Sequence, residues 1–164
     1  MSGANLRRGE FGRASLIWIN LSNGDLRDAR FEKADLTAAN LGNANAEGTD
    51  FTQANLRDLV AAGARLRGAT FAGANLMGAD LSGADLSGAD LGRALFHGTD
   101  LTGANLEGAL VSGTVFAWCP TLPAARGLEA VVFNGPLALD AATLAAFGAR
   151  LPATWATAAG LAQA

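Results

Sequence analysis

Along most of this chain nearly every fifth residue is large and apolar. From Leu6 to Phe116 the series has 23 members, and 20 of them are Leu or Phe; the others are Ala46, Ala61 and Val111. Two residues before each member the side chain is Ala, Gly or Thr in 21 of 23 cases, Ile19 and Leu59 being the exceptions. The phase holds over residues 4–116 without a slip. A period of five fits neither the 3.6 of a helix nor the 2 of a flat strand. If the small residue and the large centre both point inward, the residue between them points outward, as in a short extended stretch. That outward position is mostly Asn or Asp, for example Asn20, Asp25, Asp35 and Asn40.

The next small residue, three after the centre, would point outward by strand alternation, yet its chemistry is that of an inward position. A turn must intervene, and it falls on the two residues after each centre. Ser-Gly, Thr-Gly and Met-Gly pairs recur there between residues 76 and 104, as turn chemistry requires. The phenylalanines give the number of sides. Phe11, Phe31, Phe51 and Phe71 are 20 apart, and so are Phe96 and Phe116. Four pentapeptides therefore close one coil, and coils stacked at the strand spacing put like on like. The pattern predicts an all-β solenoid, a four-sided β-helix of nearly six coils, about 28 Å long.

Composition narrows the function. The chain has 164 residues, a formal charge of −3 and 12 basic against 15 acidic residues, which gives no field to draw it onto phosphates. Direct binding to nucleic acid is not expected. No apolar run reaches the roughly 20 residues of a membrane helix, and the opening MSGANLRRGEF lacks the apolar stretch of a signal peptide. The single cysteine, Cys119, suits a reducing compartment. The expectation is a cytoplasmic protein with no membrane contact.

The units ANLMG, ADLSG, ADLSG and ADLGR at residues 74–93 resemble the A-(D/N)-L-X-X consensus of the pentapeptide repeat family. The resemblance implies a right-handed quadrilateral β-helix. It also implies, for some members, binding to DNA gyrase or topoisomerase IV and protection of those enzymes from quinolones or peptide toxins by imitating the width and charge of duplex DNA. This chain departs from such members in its regular Ala-Asp-Leu units and its near balance of charge.

Irregular positions on a regular scaffold are the candidates for function. Residues 68–116 hold five acids, Asp80, Asp85, Asp90, Asp100 and Glu107, against one base, Arg93. They form a candidate acidic partner surface, such as a type II topoisomerase would meet; the plainer reading is that Asp simply fills the outward slot. Leu95, Leu110 and Val115 stand in outward slots that should be polar, so either the tail from Ala117 or a partner covers them. Ile17 and Trp18 occupy the corner after Leu16, where Trp18 is a partner anchor, a local cap or a tolerated side chain. Leu59-Val60-Ala61 inverts the size rule and predicts a local bulge.

After Phe116 the phase ends, and all 4 prolines follow. Residues 117–164 read as a separate, partly helical segment that caps the solenoid or carries a homodimer contact at the C-terminal end, as in family members that dimerise. Asp140 is placed to cap a helix running to about Arg150, and residues 153 to 162, around Trp155, predict a second. The repeat starts by Ala4, which points to an uncapped N-terminal end. With one histidine, His97, and one cysteine, no metal-ligand spacing or catalytic triad can be assembled, and the glycines follow the corner rule rather than a phosphate-loop pattern. The expectation is a non-enzymatic protein with no metal or cofactor.

Overall fold

The computed structural model of the protein describes residues 1–161. Its backbone is a parallel ladder in which each outward residue pairs with the one 20 positions later: Asn5 with Asp25, Asp25 with Asn45, and so on to Asp90 with Leu110. Each of these rungs is a single bridge, because the chain extends for two or three residues and then turns. At every corner the second residue after the centre has positive φ, whether it is Gly78 (68°) or Trp18 (62°). This is the physical reason for the recurrent glycine there. The result is the β-helix solenoid expected from the repeat.

The centres and the small residues before them form one continuous core, fully buried from Leu21 to Phe116, while Leu6, Phe11, Leu16 and Ile19 are only partly buried. Phe11, Phe31, Phe51 and Phe71 stack at centroid distances of 4.9, 5.5 and 5.2 Å, and Phe96 stacks on Phe116 at 4.7 Å. Where the small slot holds Thr, its hydroxyl donates to a carbonyl of the preceding coil: Thr49 to Leu26 at 2.8 Å, Thr99 to Leu76 at 2.8 Å and Thr114 to Leu91 at 2.7 Å. A buried hydroxyl thereby avoids the cost of an unpaired polar group.

The bulge expected at Leu59-Val60-Ala61 does not form. Val60 bridges Asn40 below and Asp80 above in unbroken register, and Leu59 and Ala61 are both buried. The two residues point to the same interior, so the bulk moved from one slot to the other without disturbing the backbone.

The ladder also continues beyond Phe116, with a change of register. Asn105 pairs with Arg126, Leu110 with Val132 and Thr114 with Leu137, offsets of 21, 22 and 23 residues against 20 below. One residue is added per side. Strands β1 (Leu95–His97), β3 (Thr114–Ala117) and β5 (Leu137–Leu139) form one sheet, and β2 (Leu110–Val111) pairs with β4 (Val132–Phe133). Helix α1 (Ala141–Phe147) is capped by Asp140, whose carboxylate accepts from Thr143 N at 2.8 Å. It ends at Gly148, short of Arg150, where a 3₁₀ turn follows. Helix α2 (Ala153–Ala158) lies within the segment expected to be helical, whose end at residue 162 falls outside the described residues. Trp155 of α2 is fully buried, packs on Phe116, Phe133 and Phe147, and donates its indole N–H to Leu128 O at 2.8 Å.

Candidate interaction surfaces

The outward Asx residues are first of all turn devices. Asp80 accepts the backbone N–H of Ser82 at 2.9 Å, Asp85 that of Ser87 at 3.1 Å, Asp90 that of Gly92 at 2.9 Å and Asp100 that of Thr102 at 2.9 Å. Asn20, Asn40, Asn45 and Asn75 accept in the same way. The side chain thus satisfies the corner amide in each coil, which accounts for the Asn/Asp preference without any partner.

The acids expected to form one surface are spread over three sides. Asp80 and Asp100 stack directly on one another, in a column that runs Asn20, Asn40, Val60, Asp80, Asp100 and contains no base. Asp85 lies on the next side, between Arg65 and Asn105, with Glu107 at that side's corner and Arg67 close by. Asp90 lies on a third side between Thr70 and Leu110. Among the described residues none of the five is in an ion pair; the pairs that do form lie between Arg7 and Asp58. The Thr102 hydroxyl and backbone N–H hold the Asp100 carboxyl below the usual carboxylate range. Burial pushes Asp85 up, but hydrogen bonds from Ser87 and Asn105 outweigh it and leave its pKa lowered.

The apolar candidates are also divided. Leu95 and Val115 stack on one side, half-buried, with Ala138 of β5 on the next rung. Leu110 lies on another side beside Val132 of β4, and both remain exposed. The described residues of the tail stack on the end of the ladder and leave Leu110 exposed. Between β4 and α2 it forms an apolar groove of about 510 Å³, lined by Val131, Phe133, Ala153 and Ala158 among others.

Ile17 is exposed and Trp18 is 77% exposed. Trp18 has a counterpart that the repeat phase did not reveal, Trp118, which is 63% exposed and has φ of 50°. The two occupy the same corner of different coils. A column of backbone hydrogen bonds joins them: Trp18 N to Thr37 O, Ala38 N to Arg57 O, Asp58 N to Met77 O, Gly78 N to His97 O and Gly98 N to Ala117 O, all between 2.8 and 3.0 Å. The sequence carries the signal, since 118 is 18 plus five coils of 20, but Trp118 lies beyond the last in-phase centre, Phe116.

The sole cysteine is not poised for chemistry. Cys119 is fully buried, its Sγ lies within donating reach of Ala117 O at 3.3 Å and Phe96 O at 3.5 Å, and burial pushes its thiol pKa up. No helix among the described residues is long and apolar enough to cross a membrane.

A family model for pentapeptide repeats matches the chain in eight copies, covering residues 1–37, 14–53, 34–73, 54–93 and 79–116. The chain belongs to the pentapeptide repeat family. Solved structures of pentapeptide repeat proteins resemble it. HetL, involved in heterocyst differentiation regulation in the cyanobacterium Nostoc sp. strain PCC 7120, is 28% identical over 81% of this chain and 63% of its own, with a TM-score of 0.47. The alr5209 protein of the same cyanobacterium is 27% identical over 85% of this chain and 100% of its own, with a TM-score of 0.49. A trypsin-treated variant of QnrB1, a plasmid-mediated fluoroquinolone resistance protein, is 24% identical over 80% of this chain and 78% of its own, also at 0.49. This pentapeptide repeat protein spans 63% of the HetL chain, and the same share of Rfr23 from Cyanothece 51142. A search of curated proteins found no match.

Proposed function

We propose that this pentapeptide repeat protein is a non-catalytic interaction scaffold, whose nearly six in-phase coils continue into a register-shifted turn of ladder up to Leu139 and a partly helical end, and whose acidic half meets a basic surface on a partner protein. The observation that carries this reading is the Asp80–Asp100 ladder. Two acids at adjacent strand spacing repel each other, and no base shares their column to offset that cost. A cationic groove shaped for a DNA duplex would offset it. The partner in this reading is a type II topoisomerase, DNA gyrase or topoisomerase IV, in a bacterial cytoplasm, and the effect is protection from a quinolone or a toxin. The test is a gyrase supercoiling assay with the purified protein titrated in, with and without a quinolone. Inhibition or drug protection that weakens steeply with salt supports the reading; no effect at tens of micromolar protein sinks it for the gyrase tested.

A second reading is a structural or regulatory module that takes a protein partner through apolar contacts, at Trp18 or at the tail. The groove between β4 and α2 supports it, and a homodimer through the C-terminal end would be seated in that groove. Binding that survives salt but is lost when the groove residue Ala158 becomes Glu would favour this second reading.

A further inference from the structure

The corner column that joins the two exposed tryptophans carries, in order, Trp18, Ala38, Asp58, Gly78, Gly98 and Trp118. It is bulky at both ends and small toward the middle. A two-fold axis across the rod, between the levels of Asp58 and Gly78, would exchange Trp18 with Trp118, Ala38 with Gly98 and Asp58 with Gly78. Across a two-fold axis between two like copies each contact from i to j recurs from j to i, and on this column that sets tryptophan against tryptophan at both ends. We propose that this corner is a self-association surface that takes a second, antiparallel copy of the chain, with Trp18 of each copy against Trp118 of the other.

Three observations support it. The core is complete without either indole, since both side chains stand outside it at 77% and 63% exposure. Both tryptophans hold positive φ, which a bulky side chain resists and glycine adopts freely. Their separation is five coil rises, about 24 Å, and the small residues between them let two such corners approach. On the adjoining side, the antiparallel arrangement places Asp100 of one copy opposite Asn40 of the other and Asp80 opposite Val60, while the two Asp80 side chains, like the two Asp58 side chains, come within about one rung of each other. Four tryptophans at roughly 150 Å² each, with Ile17 beside them, bury little more than about 600 Å², well short of the area of a stable interface. The dimer is therefore weak and depends on concentration. It is independent of the acidic-side reading and differs from a contact in the C-terminal groove.

The test is sedimentation velocity on the full chain from about 1 to 300 µM, beside Trp18→Gly and Trp118→Gly. Glycine suits both backbones, so these variants keep the fold, and thermal unfolding at a dilution where the chain is monomeric, unchanged or raised, checks that they do. The wild type should dimerise with concentration, and each substitution should weaken the dimer at least about tenfold. Ala38→Cys and His97→Cys proteins should cross-link when mixed, whereas Ala38→Cys alone should not. A chain that stays monomeric throughout, a dimer indifferent to both glycines, or Ala38→Cys cross-linking to itself as readily as in the mixture would each overturn the proposal.

Discussion

Cys119 stands in the slot that Thr99 fills one coil earlier, and each faces the carbonyl 23 residues before it: the Thr99 hydroxyl donates to Leu76 at 2.8 Å, and the Cys119 thiol reaches Phe96 at 3.5 Å as well as Ala117 at 3.3 Å. The slot is small, inward and faces a carbonyl of the coil below, so it takes Ala when nothing is donated and Thr or Cys when something is. Thr99→Val keeps the volume and removes the donor. It should cost about 0.5–1.5 kcal/mol, read as a lower urea midpoint with an unchanged slope.

The aromatic ladder sets a larger effect. Phe51 lies 5.5 Å from Phe31 and 5.2 Å from Phe71, with no exposed surface. Phe51→Ala should cost about 3–5 kcal/mol in chemical denaturation. Phe51→Leu should cost far less, because Leu91 already continues this column above Phe71.

Leu59 and Ala61 make a compensated pair. Leu59→Ala alone should destabilise by about 2–5 kcal/mol, and Ala61→Leu alone should overpack by about 1–3 kcal/mol. The double variant restores the usual order of sizes and should fall well short of the sum. A double-mutant cycle measures that coupling.

The depressed carboxylates fix the acid limit. The Arg27 guanidinium donates to Asp25 at 2.8 and 2.6 Å and pulls its carboxyl down to about 2; the Thr37 hydroxyl and amide lower Asp35, and those of Thr102 lower Asp100. The folded state binds these protons more weakly than the unfolded chain, whose aspartates titrate near 3.9. The stability they contribute is therefore full above about pH 5 and lost as pH falls below about 4, the share of Asp25 persisting lowest. Urea midpoints should be flat near neutrality and drop across that window. Asp35→Asn should shrink the drop.

These particulars show what could be read in the chain and why some could not. The Phe series and the corner glycines were legible because each lies in one strand at one period. Leu59-Val60-Ala61 was misread as a bulge because the size rule was applied to each slot separately, while the interior holds both side chains together. Trp118 is hard to see in the sequence because it follows the last in-phase centre by two residues. The additional turn of ladder up to Leu139 was hidden for a different reason: one more residue on each side destroys a five-residue period while leaving the pairing intact. The five acids were legible as an excess in one half, but period 20 distributes them over three sides, and only Asp80 and Asp100 share one.

That distribution gives the most direct test of the acidic-side function. Asn already occupies this column at Asn20 and Asn40, and it keeps the corner hydrogen bond, so Asp80→Asn with Asp100→Asn removes two charges and leaves the turns in place. The variant is compared with the wild type, and with Asp85→Asn plus Asp90→Asn, in the gyrase supercoiling titration. The account predicts that the first pair lowers potency at least about tenfold, whereas the second pair, on other sides, changes it little. Equal potency of the Asp80/Asp100 variant and the wild type would contradict it.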